Sequence, residues 1–155
     1  MATTSAPATI SPETTLHVRD HCLCLHTQRA ARALARSFDK AFRPLGLTSG
    51  QFSLLMSLNR ADAPSLGSVA ELLAMDRTTL TAALKPLERR GLLTVAVDEE
   101  DRRGRRLVLT AKGRKLLARS LPIWLKMHAD LDELLGDTEH LRQDLRALTR
   151  AERDT

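Results

Sequence analysis

A chain of 155 residues fits one domain, or one domain with a dimerising extension, and excludes two large catalytic domains, since domains usually hold about 100–150 residues. Hydrophobic side chains make up 43% and charged ones 28%, enough for a core and too balanced for wholesale disorder. The net charge is +5, and only 3% of residues are aromatic, none of them Tyr, which argues against the stacked-aromatic platforms that grip single-stranded nucleic acid.

Residues 1–14 are rich in Ala, Thr, Ser and Pro and read as a disordered tail. They lack the basic and apolar regions of a secretory leader. No later stretch approaches the roughly 18 apolar residues of a membrane span, so a soluble, cytoplasmic protein with no membrane contact is expected. From about His17 to Pro44, Leu23, Ala30, Leu34, Phe38, Ala41 and Leu45 recur at three- to four-residue steps, the stripe of one long helix ended by Gly46. Thr48-Ser49-Gly50-Gln51 matches a capping box and opens a second helix through Phe52, Leu55, Met56 and Leu58. After Asp62-Ala63-Pro64, Ser65 caps a short helix. Only Ala74-Met75 separate that helix from the next cap, Asp76.

The helix from Arg77 to Arg90 turns Leu80, Leu84 and Leu87 inward and stops at Gly91, with a bend or a loosened last turn expected at Pro86. Residues 92–97 and 105–110 read as strands joined by the charged loop Asp98–Gly104, a two-stranded ribbon. Leu117, Leu121, Trp124, His128, Leu131 and Leu135 then form a heptad-like seam, kinked at Pro122. His128 in that seam reads as a core or interface histidine. A last helix carries Leu141, Leu145 and Leu148 on one face.

Charge is spread unevenly along these elements. Residues 77–115 carry a surplus of six basic over acidic side chains, residues 120–155 a deficit of three, and 19 of the 24 basic residues are Arg. A basic segment in an otherwise balanced chain suits a polyanion such as duplex DNA, or an anionic membrane surface. A solvated charged face is the plain alternative.

The order of elements is that of a winged helix-turn-helix: a mainly α fold with a small two-stranded β-wing, flanked by long dimerisation helices. The expected organisation is a helical dimerisation region at 15–45 and 111–155 around a DNA-binding domain at 46–110. The first turns of a recognition helix reach base edges in the ~12 Å major groove; here they hold Arg77, Thr78, Thr79 and Thr81, with Lys85 placed for a phosphate. The ribbon tip packs Arg102, Arg103, Arg105 and Arg106 into five positions, and an Arg on a thin loop suits a narrow minor groove. Asp101 is placed to hold one of those guanidinium groups in a fork.

The stretch MDRTTLTAALKPLERRGLL, followed by DEEDRRGRRLVLTAKG, resembles the MarR family of bacterial transcriptional regulators, named for multiple-antibiotic resistance. Its marks are the Leu-Glu-x-x-Gly-Leu run at Leu87–Leu92, Asp101-x-Arg103 at the wing and the closing Leu-Thr-x-x-Gly at Leu109–Gly113. The resemblance covers roughly residues 16–150. It implies a homodimeric regulator, a repressor or an activator, on a pseudo-palindromic operator, with Arg103 as the minor-groove residue and Arg77, Thr78, Thr79 and Thr81 as base readers. The family often carries a basic residue where Ala82 stands, which shifts the weight of specificity to Arg77 and Thr79. It also implies release by a small aromatic or phenolic effector in a pocket between the dimer helices and the winged domain.

The bottom-up pattern agrees on dimerisation, because the first helix and the 117–135 seam carry more apolar stripe than a winged domain of ~75 residues covers. Two symmetric halves place half-sites about 10 bp apart. Cys24 stands where the family's hydroperoxide sensors carry a reactive cysteine, although their tyrosines are missing here. Cys22, Cys24 and His26 are therefore candidate sensing residues for a thiol- or metal-responsive alternative. His17 with His21, and Cys22 with His26, stand one turn apart, the spacing of metal-ligand pairs. Zinc-finger spacings, phosphate-binding loops, dinucleotide fingerprints and hydrolase motifs are absent, so no enzyme, cofactor or structural metal is expected. A winged helix serving as a protein-interaction adaptor is the remaining rival.

Overall fold

The computed structural model describes residues 9–151; residues 1–8 of the expected tail and residues 152–155 lie outside the described residues. The described elements are α1 (Pro12–His21), α2 (Leu23–Phe42), a 3-10 turn (Arg43–Leu45), α3 (Ser49–Ser57), α4 (Leu66–Leu72), α5 (Arg77–Arg89), β1 (Leu93–Val97), β2 (Arg105–Leu109), α6 (Ala111–Leu135) and α7 (Thr138–Ala151). This is the winged helix-turn-helix with flanking helices that the sequence implies.

The N-terminal region departs from expectation. Residues 12–14, assigned to the tail, already belong to α1, because Ser11 accepts the Thr14 N–H at 3.2 Å and Pro12 fills a first-turn position that needs no donor. The single long helix is also two. Cys22 adopts extended backbone (φ −74°, ψ 105°), closes α1 and caps α2, its sulfur accepting the Leu25 N–H at 3.4 Å. Pro86 and Pro122, by contrast, do not interrupt α5 or α6. Each proline removes one backbone donor, while the buried Leu84 and Leu87 of α5 and Leu116, Leu117 and Ser120 of α6 hold the neighbouring turns.

The helix starts follow the caps. Thr48 and Gln51 complete the capping box of α3, Ser65 accepts the Ser68 N–H for α4, and Asp76 accepts the Thr79 N–H for α5. Between α4 and α5, Ala74 takes a left-handed conformation (φ 50°), at a cost of about 1 kcal/mol for a residue with a Cβ. Gly91 (φ 68°) supplies the same conformation after α5 without that cost.

One continuous core joins the elements. Leu80, Leu84 and Leu87 of α5 are buried with Val69 and Ala70 of α4 and with Leu93, Leu107 and Leu109 of the ribbon. On the other side, all three Phe and the single Trp of the chain converge. Phe42 stacks on Phe52 (ring centroids 4.8 Å apart), and His128 stacks on Trp124 at 3.9 Å and meets Phe38 at 5.2 Å. This cluster ties α2, α3 and α6 together. The 117–135 seam is accordingly divided. Leu117 is buried and Trp124 and Leu131 pack against the core, but Leu121 and Leu135 stay exposed.

The ribbon is antiparallel, from Leu93 opposite Leu109 to Val97 opposite Arg105. Its base meets the start of α6. The single hydroxyl proton of Thr110 is shared between the carbonyls of Gly91 (2.8 Å) and Leu92 (3.0 Å), and the oxygen accepts the Gly113 N–H (3.0 Å). A methyl group at Gly113 would overlap the Leu92 carbonyl oxygen and come within 2.7 Å of the Leu109 side chain.

Gly113→Ala is therefore expected to destabilise the fold by about 1–3 kcal/mol through overpacking, read as a lower midpoint in urea or thermal unfolding. An unchanged midpoint would show that α6 can back away from β1 freely.

Candidate nucleic-acid interface

Burial of Leu80, Leu84 and Leu87 forces the opposite side of α5 outward. Arg77, Thr78, Thr79, Thr81, Ala82 and Lys85 are all exposed there. Thr78, Thr81, Ala82 and Lys85 stand at i, i+3, i+4 and i+7, one stripe of the helix. The first turn is rigidly built. Asp76 accepts both the Thr79 N–H (2.8 Å) and the Thr79 hydroxyl (2.6 Å), and those bonds, the hydroxyl's first, hold its carboxyl below the usual carboxylate range. The Thr81 hydroxyl donates to the Arg77 carbonyl at 2.7 Å.

In the wing, the tip is closed by Asp98 N–H donating to Gly104 O (3.2 Å) and Gly104 N–H donating to Asp101 O (2.7 Å). The expected fork between Asp101 and a wing guanidinium does not form. Asp101 instead accepts the backbone N–H of Arg103 at 3.0 Å, a local turn that competes with the longer reach to a side chain. The carboxylate that does pair is Asp98, 9% exposed, which accepts from Arg106 Nε at 2.7 Å and from the Glu100 N–H at 3.1 Å.

Arg106 also donates to the Ala63 carbonyl (3.3 Å), and the Leu107 N–H donates to Pro64 O (2.9 Å), so this arginine stitches the ribbon to the segment before α4. Arg102, Arg103 and Arg105 remain exposed. Arg105 folds back on the carbonyls of Gly104 (2.9 Å) and Arg102 (3.3 Å), whereas the side chains of Arg102 and Arg103 make no bond to any described residue. The structure thus puts the exposed recognition-helix side chains and three of the four wing arginines at the surface and assigns the fourth to the scaffold.

The cysteine and histidine candidates do not assemble into one centre. Cys22 caps α2, Cys24 is exposed and accepts from the Gln28 amide at 3.1 Å, and the His26 ring meets the Asp20 carbonyl at 3.1 Å. His17 and His21 stack on each other at 4.2 Å. Among the described residues no three His, Cys, Asp or Glu side chains come together as a metal site.

An open pocket of about 600 Å³ lies between α3, α4 and α6, lined among others by Phe52, Met56, Leu72, Leu73 and Trp124, with Arg60 at its edge. Arg60 was not singled out by the sequence. It follows the end of α3 in an unpatterned loop, and the convergence of α3, α4 and α6 gives it an apolar neighbourhood. Among the described residues, no helix is long and apolar enough to cross a membrane.

A two-helix reader with a basic outer face, an adjoining ribbon tipped with arginine and a scaffold of long helices define a winged helix-turn-helix protein of the nucleic-acid-binding type. The family model described as MarR family matches residues 47–104. The transcriptional regulator MosR of M. tuberculosis, solved in complex with DNA, is 36% identical, with a TM-score of 0.80 over 86% of this chain and 98% of that one. The chain belongs to the MarR family. The transcriptional repressor CouR, solved bound to p-coumaroyl-CoA, is 30% identical, with a TM-score of 0.75 over 86% of this chain and 95% of that one. The transcriptional activatory protein BadR of Rhodopseudomonas palustris is 34% identical over 70% of this chain, and the match spans 63% of BadR, less than two thirds of its length.

The Asp98 carboxyl is held below the usual range first by the Glu100 N–H and then by Arg106, against the opposing effect of burial. A depressed folded value means that its contribution to stability is complete above the unfolded value of about 3.9 and is lost as pH falls through the lower folded value. Asp98→Asn is therefore expected to lower the unfolding midpoint at pH 7, by an amount that shrinks as pH falls below the usual carboxylate range. A difference that stays constant with pH would assign the effect to packing.

Proposed function

We propose that the protein is a cytoplasmic homodimeric transcriptional repressor that binds a pseudo-palindromic duplex through α5 in the major groove and the wing in the minor groove. The observation that carries this reading is the exposed face formed by Arg77, Thr78, Thr79, Thr81 and Lys85, with Arg102, Arg103 and Arg105 beside it, in a fold shared with a regulator solved on DNA. Dimerisation is supported by α7, whose Leu141, Leu145 and Leu148 are each more than 40% exposed, and by the exposed Leu121, Leu125, Leu134 and Leu135 of α6. Apolar stripes of this extent are normally covered by a partner.

The effector reading rests on the pocket between α3, α4 and α6. Its apolar walls suit an aromatic ring, and the Arg60 guanidinium among its lining residues suits a carboxylate or a phosphate. A p-coumaroyl-CoA complex of the relative CouR supports an aromatic acid or its thioester. The thiol alternative favours Cys24, since Cys22 is part-buried with its sulfur capping α2, whereas Cys24 is exposed and accepts only from the Gln28 amide.

Anisotropy titration of a labelled promoter duplex at several salt concentrations tests the DNA reading. The expected result is a steep salt slope, reduced by about one per protomer in Arg103→Ala, with two chains per duplex in sedimentation. Micromolar or weaker binding at low salt that Arg103→Ala leaves unchanged would overturn it. Because Trp124 is the only tryptophan, p-coumarate or p-coumaroyl-CoA entering the pocket should quench the protein's fluorescence and release the duplex. Arg60→Ala should weaken that response by about tenfold or more, the loss expected for a charge-assisted bond. Fluorescence and DNA affinity that neither compound alters would refute an aromatic effector of this type.

A further inference from the structure

Three threonines occupy the first turns of α5, and the structure gives their hydroxyls different duties. A threonine hydroxyl has one proton to donate. That of Thr79 goes to the Asp76 carboxylate at 2.6 Å, and that of Thr81 goes to the Arg77 carbonyl at 2.7 Å. The hydroxyl of Thr78 bonds no described residue, and Thr78 is exposed on the stripe it shares with Thr81, Ala82 and Lys85. Of the three, only Thr78 can donate to a base edge without giving up a bond that its hydroxyl already makes.

Arg77 has a direction of its own. Its guanidinium lies along α4, with Nη2 only 3.3 Å from where a Cβ at Gly67 would stand. In a helix-turn-helix the first helix of the pair crosses the sugar-phosphate backbone while the second enters the groove. A guanidinium laid against α4 is therefore at the level of the phosphates, where its planar fork matches two oxygens. Gly67 leaves room for this: a methyl there would already press on the guanidinium, and a branched side chain would compete for its place.

We propose that these two neighbours divide the work of the recognition helix: Thr78 is the specificity-determining residue, its hydroxyl and methyl read against one base in each half-site, and Arg77, seated over Gly67, is a sequence-independent phosphate clamp. The proposal rests on the reading of α5 as the major-groove helix. It replaces the even assignment of base reading to Arg77, Thr78, Thr79 and Thr81, and the weight that the family resemblance puts on Arg77 and Thr79. A threonine is suited to the role because its hydroxyl bonds either a donor or an acceptor and its methyl packs on the thymine methyl.

Selection of bound duplexes from a randomised pool, followed by anisotropy titrations of the selected site and its single-base variants, tests this directly. Thr78→Ala is expected to lose about five- to tenfold of discrimination at one base position per half-site while its salt slope stays that of the wild type. Arg77→Ala is expected to weaken binding to every duplex by a similar factor, with a slope lower by about one per protomer. Gly67→Val should show the same uniform weakening with Arg77 still present.

Circular dichroism identical to the wild type confirms that each variant is folded, and Thr78→Ser, which keeps the hydroxyl, should retain most of the discrimination. The proposal is overturned if Arg77→Ala changes which base is preferred, or if Thr79→Ala or Thr81→Ala relaxes the preference and Thr78→Ala does not. A wild-type protein that enriches no sequence at all would instead sink the DNA reading itself.

Discussion

The carbonyl group of Leu92 is the point on which the rest of the molecule depends. It accepts both the N–H and the hydroxyl of Thr110, and Gly113 is packed against it so closely that no larger residue fits. The end of α5, the base of the ribbon and the first turn of α6 all meet there. Because Thr110 directly follows β2 and caps α6, a single side chain fixes the direction in which the long scaffold helix leaves the wing. The closing Leu-Thr-x-x-Gly motif is in this sense a joint, with threonine supplying both donor and acceptor and glycine the absence of a side chain.

From that joint the two surfaces of the molecule acquire opposite characters. On the wing side, the buried leucines of α5 and the ribbon turn Arg77, Lys85, Arg102, Arg103 and Arg105 outward, while Arg106 is retained by Asp98 and the Ala63 carbonyl and Arg90 by the Gly46 carbonyl. An exposed ion pair contributes little on its own, but here the carboxylate is buried and also accepts a backbone N–H, so the pair sets the base of a loop on which Arg102 and Arg103 stay unbonded and Arg105 bonds only the loop's own carbonyls. The same division recurs at the start of α5, where Asp76 fixes Thr79 and leaves Thr78 unengaged. In both places an acidic residue that partly cancels the basic charge also determines which neighbours remain available.

On the scaffold side, the few aromatic residues are concentrated where three helices cross. Phe38, Phe42, Phe52 and Trp124, with His128, join α2, α3 and α6. An aromatic ring buries more area than any aliphatic side chain, so four of them suffice to hold helices that otherwise meet only along one edge. What they do not cover is the leucine face of α7 and the outer leucines of α6. The pocket beside Trp124 is a direct consequence of this arrangement, because Leu72, at the exposed end of α4, faces α6 across a gap that no side chain fills.

The sequence by itself determined the elements and their order. Caps at Thr48, Ser65 and Asp76, the inward leucines of α5 and the charged turn of the ribbon are local signals, set by which side chain is within reach of which backbone donor. It also determined where the cations lie, because charge is a property of composition and position. Local signals were less reliable where two conformations compete: Cys22 breaks what periodicity reads as one helix, and Asp101 bonds the nearby Arg103 N–H in place of a guanidinium. Only the tertiary structure decided which arginine belongs to the scaffold, which threonine hydroxyl is free, and that Arg60 borders an apolar pocket. The first and the last of these depend on partners more than 40 residues away along the chain, and such contacts exist only once the core has closed; the threonine pattern depends on which of several nearby oxygens each hydroxyl reaches, a choice that spacing leaves open.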